Sequence, residues 1–414
     1  MRRIGVDAVG VARVALALER SGRAFLEKAY TAAEIDYCAG RAESLAGRWA
    51  AKEAVIKCFD GTSICFPRRR IEILPGPGGA PRVRLLGETR GATVQVSITH
   101  HAGLAVASAV LEMPGEESAP AEPAPLPAPA AVVMPKRPAG AHKGTFGSVI
   151  VLAGSLGLTG AAYLSSTAAA RAGAGTVRLL VAEGVYVILA VKCTEVMAIP
   201  LPEVAPGAVG HAAHDVVLRW LEGAAAFLIG PGLGRDGSTW RLVQDLLPHV
   251  RCPAVIDADG LNALAASPRL KGRLGAARVL TPHPGEMSRL LAVPVAEIDA
   301  DREAAAQRAA RAWGAVVVLK GAHTVVADPG GRLATDPHQV PALATGGTGD
   351  VLGGVVTGLL AQGLAPFEAA VSGVYVHAEA GRRLTARLGD SGLLASDLLP
   401  EIPQVMNLLR RGGL

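Results

Sequence analysis

The sequence predicts an α/β protein with two domains, on the evidence of its length, its composition and its glycine-rich turns. A domain takes roughly 100–200 residues, so the 414 residues allow more than one. Hydrophobic residues make up 50% and charged residues 19% of the chain, which is too apolar for a disordered protein. Aromatic residues are only 4%, whereas glycine occurs 50 times, so we expect a core of Ala, Val and Leu in a sheet protein with tight turns.

A stretch rich in proline and alanine separates the two domains. Residues 114–135 contain seven prolines and six alanines, a composition that favours extended polyproline II and cannot bury a core. We therefore predict a small domain over 1–113, a linker over 114–135 and a large domain over 136–414. The small domain has 16 Lys and Arg against 11 Asp and Glu, and the remainder has 25 against 25. This asymmetry favours acidic or phosphorylated partners for the small domain, unless it is simply uneven surface charge.

The sequence also predicts a cytoplasmic protein with neither a membrane nor a nucleic-acid partner. No run approaches the roughly 18 uninterrupted apolar residues of a membrane span. Asp7, Arg13 and Glu19 interrupt the apolar start, which argues against a signal peptide. The five cysteines are Cys38, Cys58, Cys65, Cys193 and Cys252. They are scattered and never spaced as CxxC, so they indicate neither a disulfide framework nor a zinc site.

The pattern of the small domain is mixed α+β. RIGVDAV predicts a short strand that ends at Asp7, and a helical pattern follows it. Thr31 and Glu34 have the spacing of a capping box, which predicts the start of a second helix. A third helix is expected over about 44–58, and strands are expected in RRRIEIL, PRVRLL and ATVQVSITHHAGLAVASAVLE.

The candidate chemistry of the small domain lies on its third helix, in RWAAKEAVIK. Glu53 and Lys57 are four residues apart on one helical face, a spacing that an ordinary ion pair also has. WAAKEAVIK, GVDAV and SITH resemble the phosphopantetheinyl transferases, and most closely the holo-[acyl-carrier-protein] synthase type. The resemblance implies that Asp7 and Glu53 hold Mg²⁺ on the pyrophosphate of coenzyme A, with Glu53 and Lys57 as catalytic residues. Two carboxylates with phosphate oxygens suit Mg²⁺.

The reaction implied by this resemblance transfers 4′-phosphopantetheine from coenzyme A to a serine of an acyl carrier protein. Positive side chains must then neutralise the 3′,5′-ADP leaving group, and the candidates are Lys57, Arg48 and His100. In the alternative interpretation the domain is a catalytically silent module that binds coenzyme A or mediates assembly. Its basis is that only Gly61-Thr62 stands where the family has a glycine loop, and that GETRGATVQ is too short for a further helix.

The large domain alternates apolar strands with Ala-rich helices. The predicted strands lie in GSVIVLAG, TVRLLVA, AAFLIGPG, PAVIDADG, RVLTPHPGE and AVVVLKG. Repeated strand–helix–strand units predict a doubly wound α/β sheet whose strands are buried on both faces. Ligands of such folds bind at the turns that follow the carboxyl ends of the strands.

The glycine loop ATGGTGDVLGG is the strongest single segment of the large domain. It leads into an apolar helix, so its backbone N–H groups predict an anion site at a helix N-terminus. Asp350 stands at the start of this helix, which is also an ordinary N-cap position, although a cap does not require GGTG before it. The chain has no GxxxxGK[ST] loop, and its GAG run at 173–175 lacks the third glycine of a dinucleotide fingerprint.

Seven segments of the large domain resemble the ADP-dependent NAD(P)H-hydrate dehydratases of the ribokinase-like superfamily, in that family's order. They are HKGTFG, AGSLGLTGAA, GPGLGR, DADGLN, LTPHPGEMSRL, LKGAHT and ATGGTGDVLGG. The resemblance implies a ribokinase-like doubly wound fold. It also implies the ADP-driven dehydration of the S-epimers of NADHX and NADPHX to NADH and NADPH, with AMP and phosphate as the other products.

Site residues follow from the same resemblance. Asp350 would take the proton from the hydroxyl that attacks the β-phosphate of ADP. The hydrate would contact Ala161, Gly232, His283 and Asp350. The nucleotide would bind along two loops that comprise Lys320, Gly321, Ala322, His323, Thr324, Gly346, Gly347, Thr348 and Gly349.

Several alternatives stay open at this point. Glu286 and Asp257 could serve Mg²⁺ or its water shell. His283 could be a turn histidine bound to nothing, and Lys320 a snorkelling edge residue. The whole domain could instead be a ribokinase-like kinase of a small molecule, although PHPGE and KGAHT favour the dehydratase branch. We expect a homo-oligomer.

Overall fold

A computed structural model describes residues 2–59, 66–87, 91–112, 127–274 and 277–411. The chain divides into two units, Met1–Ala119 and Pro120–Leu414, and the division falls inside the predicted linker. Predicted features outside the described residues are residues 114–126 of the linker, the centre of GETRGATVQ, and Gly61, Thr62 and Cys65.

The first unit is an antiparallel sheet packed against a long helix. Its strands are β1 (Arg2–Gly10), β2 (Ile71–Pro75), β3 (Pro81–Leu85), β4 (Thr93–His101) and β5 (Leu104–Glu112). Its helices are α1 (Val11–Ala29), α2 (Ala32–Cys38) and α3 (Ala42–Phe59). The strand order is β1-β5-β4-β3-β2.

Small residues let α3 approach the sheet closely. A Cβ atom on Gly5 of β1 would lie 2.0 Å from the carbonyl oxygen of Ala54. The buried face of α3 is correspondingly rich in alanine, including Ala46, Ala50 and Ala51. This close approach holds the middle of β1 against the helix that carries Glu53 and Lys57.

The elements of the first unit follow the predicted pattern with two differences. The capping box is confirmed, because Glu34 N–H donates to Thr31 Oγ1 at 3.3 Å and Thr31 N–H donates to Glu34 Oε2 at 2.8 Å. The first strand continues to Gly10, so Asp7 lies inside it. The long last run forms the hairpin β4–β5, since Ala102 and Gly103 both have positive φ, as a tight hairpin turn requires.

The second unit alternates strands and helices. Its strands are β6 (Ser148–Leu152), β7 (Thr176–Ala182), β8 (Met197–Leu201), β9 (Glu203–Ala205), β10 (Ala208–Val209), β11 (Ala226–Ile229), β12 (Ala254–Ile256), β13 (Arg278–Leu280), β14 (Val316–Leu319), β15 (Val325–Ala327) and β16 (Leu333–Thr335). Its helices are α4 (Thr159–Arg171), α5 (Glu183–Lys192), α6 (His214–Leu221), α7 (Gly237–Leu246), α8 (Asp259–Ala265), α9 (Pro284–Leu291), α10 (Val295–Ala300), α11 (Arg302–Trp313), α12 (Thr348–Ala361), α13 (Pro366–Leu388) and α14 (Ala395–Arg410).

The large sheet of this unit confirms the doubly wound α/β class. Its order is β16-β15-β14-β13-β12-β11-β6-β7-β8, and the strands from β14 to β8 are parallel. β15 and β16 extend the sheet antiparallel at one edge. The sequence pattern missed β8, β15 and β16, because these strands of three to five residues, at or next to an edge of the sheet, do not present a long apolar run.

The strand order creates a crevice beside β6. The chain runs from β6 to β7 on one side and returns with β11 on the other, so the turns after β6 and β11 diverge at this point. Ligands of doubly wound sheets bind at such a switch point, outside the carboxyl ends of the strands. The turns that border it are 153–155 and 230–234.

The last part of the predicted linker is bonded to the second unit. Val133 N–H donates to Ser372 Oγ at 2.9 Å, and Ser372 Oγ donates to Val133 O at 3.0 Å. Arg410 Nε donates to Pro135 O at 3.1 Å. In the described ranges, no helix is both long enough and apolar enough to cross a membrane.

Candidate active sites

A cavity of about 340 Å³ lies between the turn after β14 and the N-terminal end of α12. Its volume is in the usual range for small-molecule sites. It is lined by six of the predicted nucleotide-binding residues, namely Lys320, Gly321, Ala322, Thr324, Thr348 and Gly349. His323, Gly346 and Gly347 belong to the same two loops but are not among its lining residues.

Lys320 joins this cavity to a buried group of carboxylates. Its Nζ donates to Asp257 Oδ1 at 2.8 Å and lies 3.8 Å from Glu286 Oε2. Burial opposes the charge of Lys320, but Asp257 and Glu286 more than offset this and raise its pKa above the ordinary value. Lys320 is therefore a fixed cation at the floor of the site and not a snorkelling edge residue.

Asp350 lies in the first turn of α12, next to this group. Burial raises the pKa of its carboxyl to about 7, and Asp257, Asp259 and Glu286 contribute further, whereas Lys320 opposes the rise. A carboxylate with a pKa near neutrality is suited to accept a proton from a hydroxyl. The N-cap of α12 is Gly347, so Asp350 does not have the capping position that the sequence left open.

A contact from α13 helps to hold the glycine loop in place. Gly347 has a φ of 92°, a left-handed conformation that glycine adopts without strain. The Thr348 hydroxyl donates to the carbonyl oxygens of Leu343 and Thr345 at 2.8 and 2.9 Å. His377 Nε2 lies 2.9 Å from Thr348 O, and burial lowers the pKa of His377 to about 4, so the neutral ring donates this bond. The first N–H groups of α12 consequently keep a fixed direction.

Two of the predicted substrate residues meet at the crevice beside β6. A Cβ atom on Gly232 would lie 3.0 Å from the Cβ of Ala161 and 3.0 Å from Leu158 O. Ser155 Oγ donates to Gly232 O at 2.8 Å and ties the turns after β6 and β11 together. A Cβ atom would therefore be crowded at this position, and the φ of 62° at Gly232 is a left-handed conformation that glycine adopts without strain.

The third predicted substrate residue, His283, caps α9. Its Nδ1 accepts from Gly285 N–H at 3.0 Å and from Glu286 N–H at 3.4 Å, which leaves the proton of the neutral ring on Nε2. Burial, then the charges of Lys320 and Arg289, lower the pKa of His283. His283 is thus a half-exposed, oriented neutral ring beside Glu286, and not a turn histidine without partners.

The first unit places its candidate residues in two ion pairs. Lys57 Nζ donates to Asp7 Oδ1 at 2.9 Å and to Val6 O at 2.8 Å. Glu53 pairs with Arg68, so the intrahelical Glu53–Lys57 pair that the spacing allowed is not formed. Glu53 lies on α3 and Asp7 lies on β1, the strand packed against it, and both carboxylates are partly exposed.

The other candidates of the first unit have structural contacts. Arg48 Nε donates to Ile73 O at 3.0 Å, and His100 Nε2 lies 3.0 Å from Glu43 O. The lysine of the KEA motif, Lys52, is fully buried and donates to Glu34 Oε2 at 2.6 Å. Lys52 belongs to the WAAKEAVIK motif, and its contact with Glu34 holds α3 to α2.

Both units offer oxygen donors of the kind that Mg²⁺ takes. Mg²⁺ binds through one or two carboxylates completed by phosphate oxygens and water, and Asp7 with Glu53 or Asp257 with Glu286 fit that requirement chemically. Within the part of the chain that the structure describes, no group of three or more His, Cys, Asp or Glu is arranged as a metal site.

The sequence of the second unit matches a known family over nearly its whole length. Residues 149–404 match the family model described as NAD(P)H-hydrate dehydratase. The chain belongs to the NAD(P)H-hydrate dehydratase family. Residues 3–109 match the model of the 4′-phosphopantetheinyl transferase superfamily. The family resemblance of each domain is confirmed, and the second unit of this dehydratase-family chain has the ribokinase-like fold.

Two relatives show how similar this dehydratase-family chain is to other members of the family. The bifunctional NAD(P)H-hydrate repair enzyme Nnr of Moorella thermoacetica is 48% identical over 276 residues, which are 67% of this chain and 52% of that protein. The ADP-dependent (S)-NAD(P)H-hydrate dehydratase of Xanthomonas campestris pv. campestris is 37% identical over 290 residues, 70% of this chain and 94% of that protein. The chain spans about half the length of the first curated relatives that it matches.

A solved structure shares the fold of the second unit. It is the ADP/ATP-dependent NAD(P)H-hydrate dehydratase of Bacillus subtilis, co-crystallised with ATP and Mg²⁺. Its identity to this chain is 31% and its TM-score is 0.56, over 66% of this chain and 94% of that one.

Sequence reasoning missed a buried ionic network at the far wall of the cavity. His338 Nδ1 lies 3.0 Å from Asp336 Oδ1, and its Nε2 lies 3.0 Å from Glu379 Oε2. Burial opposes the charge, but the bonds to Asp336 and Glu379 raise the pKa of His338 to about 9. These residues come from a loop and from α13, so their spacing along the chain carries no signal of the network.

Proposed function

We propose that the second unit restores NADH and NADPH from the S-epimers of NADHX and NADPHX in an ADP-dependent dehydration. One observation carries the proposal: a carboxyl with a pKa near 7, Asp350, lies beside the Lys320–Asp257 pair and at the glycine-rich N-terminus of α12. The names of the matched relatives support the choice of substrate.

The residues of the site divide the chemistry between them. The hydrate hydroxyl loses its proton to Asp350 while its oxygen bonds to the β-phosphorus of ADP, and the bond from that phosphorus to the AMP oxygen breaks. The N–H groups of the glycine loop and Lys320 stabilise the charge of the transferring phosphoryl group. The carbon–oxygen bond of the phosphorylated hydrate then breaks, phosphate departs and the ring loses a proton, which yields the reduced nicotinamide. Phosphate leaves far more readily than hydroxide does.

The direct test follows the absorbance of reduced nicotinamide during incubation of NADHX with the protein and Mg²⁺. Parallel reactions contain ADP, ATP or no nucleotide. We expect recovery of NADH that depends on ADP and forms AMP and phosphate in equal amounts. A folded protein that recovers no NADH with either nucleotide would favour the small-molecule kinase interpretation.

We further propose that the first unit transfers 4′-phosphopantetheine from coenzyme A to a serine of an acyl carrier protein, with Mg²⁺. The match to the transferase superfamily over residues 3–109 supports the family, and the neighbouring Asp7–Lys57 and Glu53–Arg68 pairs support the site. When bound, Mg²⁺ would neutralise the pyrophosphate, with Asp7 and Glu53 as its carboxylate ligands. Lys57 then stands next to the same phosphates.

The transferase proposal is tested by the mass gain of an apo acyl carrier protein in the presence of coenzyme A and Mg²⁺. Glu53→Gln should abolish the transfer. Glu27→Gln is a matched control, because Glu27 is an exposed partner of Arg23 on α1. A wild-type protein without transfer activity would favour the silent-module alternative, and transfer by Glu53→Gln would remove Glu53 from the metal site. The cytoplasmic location and the homo-oligomer stay predictions.

A further inference from the structure

A groove of about 490 Å³ lies on the second unit, near the crevice beside β6, and has no part in the functions proposed above. Its lining residues include Arg235, Trp240, Asn262, Ala265 and Arg289. They come from the loop after β11 and from helices α7, α8 and α9. We call this feature the Arg289 groove.

Hydrogen bonds give the Arg289 groove a fixed shape. Arg289 Nε donates to Asn262 Oδ1 at 2.9 Å, and Asn262 Nδ2 donates to Asp259 Oδ1 at 3.2 Å. Trp240 Nε1 donates to Gly234 O at 3.3 Å. The polar walls of the groove are therefore oriented before any ligand binds.

The same bonds connect the groove with the candidate active site. Gly234 N–H donates to Asp259 Oδ2 at 2.9 Å, and Gly234 is two residues after Gly232 in the loop that faces Ala161. The charge of Asp259 also contributes to the raised pKa of Asp350, and the charge of Arg289 contributes to the lowered pKa of His283. The groove and the proposed hydrate site thus share one wall, the 230–235 loop.

Two arginine side chains give the groove its positive charge, those of Arg235 and Arg289. Among the described residues, neither Arg235 nor Arg289 forms an ion pair, and both are exposed. By contrast, the neighbouring Arg241 and Arg269 both pair with Asp245. Two guanidinium groups that form no ion pair, beside a half-buried indole, are suited to bind a phosphorylated ligand with an aromatic base.

We propose that the Arg289 groove binds the adenosine half of NADHX and NADPHX, with Arg235 and Arg289 contacting its phosphoryl oxygens. The inference rests on the proposed dehydratase function and adds the residues that would hold the part of the substrate remote from the reaction. The phosphoryl group has two possible sources. The diphosphate is present in both substrates, whereas the ribose 2′-phosphate is present only in NADPHX.

The test is a kinetic comparison of NADHX and NADPHX at saturating ADP. Arg235→Gln, Arg289→Gln and the double variant are compared with the wild type. Each single change should raise KM about five- to tenfold, because one charge-assisted bond is lost. The kcat should stay within about twofold, since the substitutions leave Asp350 and Lys320 in place. Arg289→Lys should restore part of the loss.

Arg241→Gln is the matched control, because it removes the same charge from α7 without lining the groove. A raised KM for both substrates assigns the contact to the diphosphate, and a raised KM for NADPHX alone assigns it to the 2′-phosphate. Unchanged KM values in an active enzyme would overturn the inference, as would an equal effect of Arg241→Gln. A wild-type protein that dehydrates neither substrate instead refutes the proposed function itself.

Discussion

The protonation of Asp350 depends on neighbours that are distant in the sequence. Asp257, Asp259 and Glu286 surround it with like charge, and Lys320 limits the effect of that charge. A carboxyl on an isolated helix would have an ordinary pKa and would be a poor base at neutral pH. Burial and nearby negative charge therefore give Asp350 the pKa that its proposed role as a base requires.

Asp350→Asn is expected to lower kcat/KM for ADP-dependent dehydration by about 10²–10⁴-fold, because the amide cannot accept the hydroxyl proton. The fold should persist, since the side chain is nearly isosteric and Gly347, not Asp350, is the N-cap. A thermal melt checks this second point. A variant that unfolds at a much lower temperature would assign Asp350 a structural role instead.

The pH profile of kcat/KM should have an acidic limb with a midpoint near pH 7. Asp350 acts as a base only when ionised, so the rate should fall as the pH drops through its pKa of about 7. His377, His338 and His283 do not account for such a limb, because their pKa values are shifted to about 4, to about 9 and below the ordinary value, respectively. The residual activity of Asp350→Asn should lack the limb. A midpoint near pH 4 would contradict the assignment.

At the scale of elements, the site depends on how closely α12 packs against α4. A Cβ atom on Gly354 would lie 2.1 Å from Ser165 O, and one on Gly358 would lie 2.6 Å from Ala169 O. These two helices carry the glycine loop and Ala161 at their N-terminal ends. The glycines inside α12 thus set the distance between the proposed nucleotide and hydrate sites.

Gly354→Ala should lower the free energy of unfolding by about 1–3 kcal/mol, because the methyl group overlaps a backbone oxygen that cannot rotate away. Gly160→Ala on α4 is the control, since no atom lies within 4 Å of its Cβ position and alanine favours the helix by up to about 1 kcal/mol. Denaturant unfolding of both variants measures the difference. Equal stability of the two would show that the helices can move apart.

At the scale of the whole molecule, the residues that the structure describes form two separate hydrophobic cores. One belongs to the first unit and one to the sheet and helices of the second. The buried Lys52–Glu34 pair lies only in the first core, where both side chains are fully excluded from solvent. A change to this pair should therefore affect one unit alone.

Lys52→Ala should destabilise the first unit by about 3–5 kcal/mol, because Glu34 is left as a buried charge without its partner. We expect loss of phosphopantetheine transfer and retention of ADP-dependent dehydration in the same preparation. Calorimetry should show a shift of one unfolding transition only. A parallel loss of both activities would indicate that the units unfold together.

The sequence by itself determined the two domains, the parallel sheet and the main loops of the second unit. Apolar strand runs, glycine turns and seven ordered segments sufficed, because local patterns report which residues are buried on both faces. The resemblance to the dehydratases implied the nucleotide-binding residues of the loops at 320–324 and 346–349, and six of these residues line one cavity. The predicted site residues otherwise await the experiments above.

Only the tertiary structure decided the charges and partners within these sites. The pairs Lys57–Asp7, Lys320–Asp257 and Glu53–Arg68 join residues from different elements, so no spacing along the chain encodes them. The same holds for the antiparallel strands β15 and β16 and for the Arg289 groove. Their common physical reason is that burial and Coulomb interaction depend on distance in space, which folding sets after the local patterns have chosen the elements.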